Sequence, residues 1–458
     1  MEQHRRVFAC LTTLLLFTHA MDTRAAFFQL AENSPAGLGN AFAGGAAIAE
    51  DASTVWYNPA GLTRLSGTEL VAGAHAIFPS TQFSKSSATT RLGTPITGSD
   101  GGNAGETAML PNIYLSHRVD DRMVIGLGIN VPFGLATDYA DNWVGRYHAD
   151  RSEIETININ PGIGYQVNDG LSLGVGVSYQ KMSAMLSQWA DLGTSCVLAQ
   201  PPYGTTLPPG FCGAQGLASQ QDDAKVSIEA DDNAFGFNVG ALWEPSKETR
   251  LGLAYRSPVK HHLTGAVDVT IYDAGQATLA ALVNTVDGGA NAYITLPATL
   301  SVSGFMKLNS QWALMGDITR TYWSKLPELR IYFDSGAANS VVTLNLNDVN
   351  RYSVGAVYRP GGAWAWRAGL ALDQTPTPSA AYRTPRLPDE NRRWLTLGTS
   401  YQSSERLVFD VAVAYIKVAD ADIDKSALDS ENATRGNLNG QYSANIKILS
   451  AQLRWMID

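Results

Sequence analysis

The chain has 458 residues, a formal net charge of −9 and an apolar content of 45%; a nucleic-acid-binding surface would carry clustered cations, so the acidity argues against that class. After the first thirty residues no run of about 18 apolar residues occurs, so the sequence holds no helical membrane span. The apolar content suits two remaining classes equally: a soluble globular protein, or a membrane β-barrel whose lipid-facing apolar residues alternate with polar lumen-facing ones.

Arg5 and Arg6 precede an apolar run from Val7 to Phe17, and small residues follow. Residues 1–25 therefore read as a signal peptide, cleaved after Ala20 or Ala25. Two other export readings are weaker. Arg5-Arg6-x-Phe8 is like a twin-arginine signal, but that route exports folded cargo and a barrel must cross unfolded. Cys10 opens the apolar run, whereas a lipidation site would close it. Export, with 43 Gly, 18 Tyr and 10 Trp, favours the barrel.

Residues 26–66 show no alternation. They are rich in Gly and Ala and carry Asn58-Pro59-Ala60-Gly61. Phe27, Phe28, Leu30, Leu38, Phe42, Val55 and Trp56, with hardly any Lys, argue against a solvated tail. This segment is expected to plug a lumen as a hatch.

Residues 67–458 read as strands. In Leu171–Tyr179, Leu171, Leu173, Val175, Val177 and Tyr179 oppose Ser172, Gly174, Gly176 and Ser178. In the last segment Leu449, Ala451, Leu453, Trp455 and Ile457 oppose Ile448, Ser450, Gln452 and Arg454. Such period-2 runs mark spanning strands. About fourteen segments occur, at 68–78, 108–118, 122–134, 151–167, 170–189, 225–244, 247–270, 292–308, 311–333, 342–360, 362–374, 391–403, 405–418 and 441–457. The expectation is all-β: a 14-stranded antiparallel transmembrane β-barrel closed on itself, with the hatch in its lumen. Asn168-Asp169-Gly170, Asn309-Ser310 and Gly361-Gly362 are tight turns for one rim, and six long connections belong to the other. Gln276–Val286 reads as a short helix in one of them, and Asp420, Asp422 and Asp424 as a solvated acidic loop. Tyr179, Trp243, Trp312 and Trp323 are placed in interfacial aromatic girdles. Cys196 and Cys212 survive signal removal and are expected to staple a loop as a disulfide.

Ala26-Phe27-Phe28-Gln29-Leu30, Ser34-x-x-Gly37-Leu38-Gly39, Ala47-Ile48-Ala49-Glu50-Asp51-Ala52 and Asn58-Pro59-Ala60 resemble the hatch of FadL/TodX-type outer-membrane transporters. Further matches at Gly134-Leu135-Ala136-Thr137, Tyr255-Arg256-Ser257, Leu296-Pro297-Ala298 and Leu387-Pro388-Asp389 extend the resemblance over the mature chain. It implies passive outer-membrane carriage of long-chain fatty acids or of aromatic hydrocarbons, with no cofactor. Ligand enters an extracellular groove, reaches an apolar pocket above the hatch, and leaves sideways at a kink in the third strand. The kink falls at Pro132 and Gly134, where a missing donor and a flexible residue also predict irregular pairing. The resemblance sets Asn58, Pro59 and Ala60 facing it. Phe27, Phe28 and Leu30 are candidates for contact with the ligand tail. Lys181 and Arg330 match headgroup partners, although alternation turns Lys181 toward lipid; Arg256 and Arg392 point inward by alternation. The implied partners are outer-membrane lipid and lipopolysaccharide, the hydrophobic ligand and the barrel assembly machinery, which acts on a monomer. Two departures stand out: the chain ends Trp455-Met456-Ile457-Asp458 without the usual terminal aromatic, and residues 138–150 differ from the family pattern.

A barrel lipase or esterase would need a Ser/His or Asp/His constellation. His75, His117, His148, His261 and His262 are the histidines of the mature chain, and none lies near a Gly-x-Ser-x-Gly sequence. An open porin or adhesin is the third reading; an open porin would conduct ions strongly in planar bilayers, where a plugged carrier should barely conduct.

Overall fold

The computed structural model describes residues 27–271 and 287–457. The signal peptide at 1–25 and the helix expected at 276–286 lie outside them. Alternation becomes a closed wall of fourteen antiparallel staves: β1 (Thr68–Thr89), β2 (Ala108–Arg118), β3 (Met123–Asn130, resuming at Gly134–Asp138), β4 (Arg151–Asn168), β5 (Leu171–Asp191), β6 (Asp223–Trp243) and β7 (Thr249–Arg256 and Val259–Ile271). They continue with β8 (Gly288–Leu296 and Thr299–Lys307), β9 (Trp312–Thr321), β10 (Val349–Gly361), β11 (Trp364–Asp373), β12 (Arg392–Ser404), β13 (Leu407–Val418) and β14 (Asn437–Met456). β14 pairs with β1 from Glu69↔Met456 to Thr89↔Asn437, which closes the wall and leaves no edge for lipid to solvate.

The two faces follow the sequence pattern. On β5, Leu173, Val175, Val177 and Tyr179 are exposed, whereas Ser172 and Ser178 are buried. Trp243, Trp312, Trp364 and Trp366 stand exposed beside the short turns, as a girdle requires. Trp323 corrects the girdle assignment. It follows β9 in a 3₁₀ turn, is 0% exposed, and packs inside the barrel. Its position after a strand end removed it from the alternation that would have set its face.

Several staves rise beyond the membrane. β1 runs on past Pro79, which reads as a breaker in sequence. It is tolerated because β2 ends opposite Ile77, so Pro79 itself has a strand partner on its β14 side only. A hairpin of Glu328–Phe333 and Ser340–Thr343 extends the upper end of β8. The acidic stretch expected as a loop is a strand, Ala421–Lys425, paired with β14; Asp422 and Asp424 accept hydrogen bonds from Gln441 and Asn439. Cys196 and Cys212 form a disulfide that joins two short helices, Leu192–Leu198 and Phe211–Ala214, in the loop between β5 and β6.

The hatch fills the lumen with three single-turn helices, α1 (Pro35–Leu38), α2 (Gly45–Ile48) and α3 (Thr54–Tyr57), and a 3₁₀ turn, Pro59–Arg64. Ser34 caps α1 ahead of Pro35, and Asn58 caps the 3₁₀ turn ahead of Pro59, a chemistry suited to abrupt starts. Wall glycines let the hatch dock. A Cβ at Gly240 would lie 2.0 Å from Asn58 Oδ1, and one at Gly174 would lie 2.2 Å from the Ala60 nitrogen.

Candidate functional site: the hatch tip and the third strand

β3 stops at Asn130, opposite Asn158, and resumes at Gly134, opposite Glu155. Val131, Pro132 and Phe133 therefore stand against two residues of β4. Thr156 absorbs the mismatch: Phe133 N–H donates to its Oγ1 at 2.9 Å, and its hydroxyl donates to Phe133 O at 2.8 Å. On the other side, β3 pairs with β2 only up to Ile113↔Ile129, while β2 continues to Ala108. Above that level the wall has a gap between β2 and β3.

The hatch closes this gap from within. Leu30 N–H donates to Pro132 O at 2.9 Å and Gly134 N–H donates to Phe28 O at 3.0 Å, a two-bond ladder in place of the missing strand. Phe28 and Phe27 pack on Trp323 with ring centroids 4.9 and 5.2 Å apart, and Phe133 adds a third side at 5.9 Å from Phe28. Phe27 is held in left-handed backbone at φ 57°, which strains a side-chain-bearing residue by roughly 1–2 kcal/mol. Asp389 accepts from Phe27 N–H at 3.1 Å, Arg392 donates to Phe27 O at 2.8 Å, and the two pair with each other at 2.8 Å.

Asn58, Pro59 and Ala60 do not face the kink, contrary to expectation. Asn58 Nδ2 donates to Ala46 O at 2.7 Å and to Ala241 O at 3.0 Å, which fixes the turn on β5 and β6 at the base of the hatch. Pro132 and Gly134 instead meet Phe28, Gln29 and Leu30.

A cavity of about 170 Å³ lies inside the tip, and one of about 370 Å³ lies at the wall gap. Gln29, Leu30, Ile77, Arg392 and Ile446 line both. Arg256, Arg351 and Arg392 face the inner cavity together with Glu32, Asp317 and Asp373. Arg392 is committed to Asp389. Arg256 is stacked 3.3 Å above the centroid of Trp56 and donates to Ser178 Oγ and Trp56 O. Arg351 donates to Ala41 O at 3.0 Å and lies over the rings of Trp394 and Phe42. Among the described residues neither Arg256 nor Arg351 has a carboxylate within salt-bridge distance, so both have charge to offer a ligand.

The other two candidate cations are elsewhere. Lys181 is exposed on the outer face of β5, as its alternation with Tyr179 demanded. Arg330 sits on the extracellular hairpin and pairs with Glu328 at 2.6 Å, beside a separate recess. Sequence reasoning missed Arg351 and Trp323. Arg351 shares an inward face with Ser353 and Gly355, so alternation would have found it; Trp323 left no periodic signal.

The lower hatch is held by charge. Glu50 pairs with Arg367 at 2.9 Å and Arg359 at 3.2 Å, Asp51 accepts from Gln452 at 3.0 Å, and Ala52 N–H donates to Glu69 at 2.7 Å. Burial alone would raise the Glu50 carboxyl, but Arg367, Arg454 and Arg359 outweigh it and hold the group far below the ordinary carboxylate range. Glu32, at the tip, behaves oppositely: burial raises its carboxyl above the usual range against weaker opposition from its own backbone hydrogen bond and from Arg392 and Arg351.

A closed barrel with an apolar outer belt, a lumen plug and a wall gap sealed by that plug defines an outer-membrane carrier. The chain belongs to the outer membrane protein transport protein family (OMPP1/FadL/TodX), whose model matches residues 16–456. It is 31% identical over 424 residues to a long-chain fatty acid transport protein of Shigella flexneri, covering 91% of this chain and 93% of the relative. The corresponding protein of Salmonella typhi is 32% identical over 424 residues, with the same coverage. A crystal structure of a Pseudomonas aeruginosa FadL homologue superposes with a TM-score of 0.86 at 27% identity, covering 94% of this chain and all of that one. The protein is an outer-membrane transporter of hydrophobic small molecules.

Proposed function

We propose that the chain carries long-chain fatty acids. The carboxylate binds Arg256 and Arg351, the tail displaces Phe27 and Phe28 from the Trp323 surface, and the ligand leaves sideways between β2 and β3. The observation that carries this reading is that Gln29 and Leu30 line both the inner cavity and the wall gap, so moving that short segment joins them. The process involves no bond chemistry. His261 is held between Asp232 and Gln180, and His75 meets Ser450 at 2.6 Å within the wall; the two imidazoles are buried, at 2% and 0% exposure. The working unit is a monomer in lipid and lipopolysaccharide, and the barrel assembly machinery takes up the chain.

The test is uptake of labelled oleate and of toluene by cells lacking their own outer-membrane fatty acid carrier, with and without this gene. Oleate uptake should depend on the gene and fall about tenfold in an Arg256→Gln, Arg351→Gln double variant, as loss of a charge-assisted pair predicts. Gene-dependent entry of toluene without oleate would replace fatty acids by neutral hydrocarbons.

A further inference from the structure

Three acids face the inner cavity: Glu32 on the hatch tip, Asp317 on β9 and Asp373 at the end of β11. Asp317 is satisfied, since Ser303 and Thr319 both donate to it. Glu32 and Asp373 are not. They are 7% and 2% exposed, yet among the described residues neither carboxyl accepts a hydrogen bond or lies within salt-bridge distance of a cation. Glu32 also has a particular place in the chain. It stands between Leu30, which closes the wall gap, and Asn33, whose carbonyl accepts from Tyr114 at 2.7 Å and whose side chain accepts from Asn130 at 2.7 Å.

The groups around Glu32 govern its proton. Arg351 on β10, Asp373 on β11, Arg392 on β12 and Tyr57 on α3 act on it across the cavity, and Arg256 and Asp317 complete the charged lining. Burial does most to raise the Glu32 carboxyl and Asp373 adds to the rise, while its backbone hydrogen bond, Arg392 and Arg351 pull against them. A long-chain carboxylate meets the reverse problem. It enters the cavity ionised, beside Arg256 and Arg351, and leaves between β2 and β3 into hydrocarbon, which does not solvate an ionised carboxylate and so drives it to take up a proton. A proton must therefore reach the cargo between the arginines and the gap. Glu32 lies on the same tip segment as Gln29 and Leu30, which line both cavities.

We propose that Glu32 is the proton donor for release: its carboxyl O–H passes the proton to the cargo's carboxylate, and the cargo leaves as the neutral acid. Glu32 remains as a carboxylate beside Arg351, in the place of the departed cargo, and regains a proton from water that enters the cavity. One carboxyl oxygen loses the proton and another gains it, so atoms and charge balance and no bond of the carbon skeleton changes. The inference rests on the fatty-acid reading above and gives it a release step. It also ties release to the hatch: the protonated Glu32 favours the closed tip, so the handover that neutralises the cargo also loosens the tip. A neutral cargo needs no proton.

The experiment measures entry of oleate and of oleyl alcohol into outer-membrane vesicles from cells with and without the gene, together with oleate binding to the full-length protein in lipid nanodiscs. Glu32→Gln keeps the shape of the protonated acid and has no proton to give. Gene-dependent oleate entry should fall about tenfold or more in this variant, as loss of a positioned proton donor predicts, while oleate binding holds and alcohol entry is spared. Glu32→Asp restores an acid and should recover most of the lost entry. A merely structural role for Glu32 would slow both ligands alike. Equal loss for the two ligands, loss that Glu32→Asp does not recover, or unchanged oleate entry in a folded Glu32→Gln protein overturns the proton step. Failure of native vesicles to admit oleate overturns the fatty-acid reading itself, so the two failures are distinct.

Discussion

The base of the hatch, Gly45–Arg64, is pressed against glycine backbone, capped by Asn58 and pinned by Glu50 and Asp51 to wall cations and amides. The tip, Phe27–Asn33, touches the wall through rings, two backbone hydrogen bonds to β3 and one strained residue, with the Asp389–Arg392 pair holding the Phe27 backbone and Tyr114 and Asn130 bonding to Asn33. Rings slide and re-pack at modest cost, and an apolar ligand can replace them contact for contact. Buried charge pairs and close backbone packing have no such substitute in a fatty acid. Under the proposed route, the contrast lets one short segment both seal a pore and yield to cargo, with the base staying while the tip moves.

The largest effect should come from the base. Gly240→Leu would drive a side chain into Asn58 and unseat the 3₁₀ turn, so planar-bilayer conductance should rise from nearly closed to that of an open pore. A folded, silent variant would mean that the base can shift without opening the lumen. At the tip, Trp323→Ala removes the surface under Phe27 and Phe28. A loss of about 3 kcal/mol is expected for a buried Trp, read as faster proteolysis of the tip and weaker oleate binding, with conductance unchanged. An ionic leak in that variant would erase the distinction between the two ends.

The smallest effect concerns charge. Glu50→Gln should cost about 2 kcal/mol, the scale of hydrogen bonds to a charged group, measured by urea unfolding. The Glu50 carboxyl is depressed, so its contribution is complete above the unfolded range near pH 4.3 and is lost only as pH falls through the lower folded value. The difference between native and variant should therefore stay flat on acidification to about pH 4.5. Glu32 has the opposite sign: a raised carboxyl favours the folded tip on the acid side, and that advantage fades as pH climbs through the folded value. Amide exchange at Leu30 should slow on acidification, after correction for intrinsic rates.

Where backbone geometry alone decides a face, the sequence was readable. Leu173 against Ser172, or Arg256 and Arg392 pointing inward, needs only the two-residue period. The hatch was legible as an apolar leader without alternation. Contacts across the lumen were not, because nothing local ties Asn58 to Gly240 or Leu30 to Pro132. Trp323 follows a strand end, and the face of such a residue is set by tertiary packing. Lys181 shows the converse: its own alternation correctly turned it outward, against the role carried over from resemblance.

The two-bond ladder between the hatch tip and Pro132–Gly134 also fixes how the lateral exit behaves once it has been used. When Phe28 and Leu30 withdraw, Pro132 O and Gly134 N–H lose their partners at a place where hydrocarbon offers none, and each bare group costs on the order of 2 kcal/mol or more. The departing acyl chain cannot satisfy them. The open wall is therefore the high-energy state, and it closes by itself when the cargo has gone, a return stroke driven by unsolvated peptide groups with no need for a nucleotide or an ion gradient.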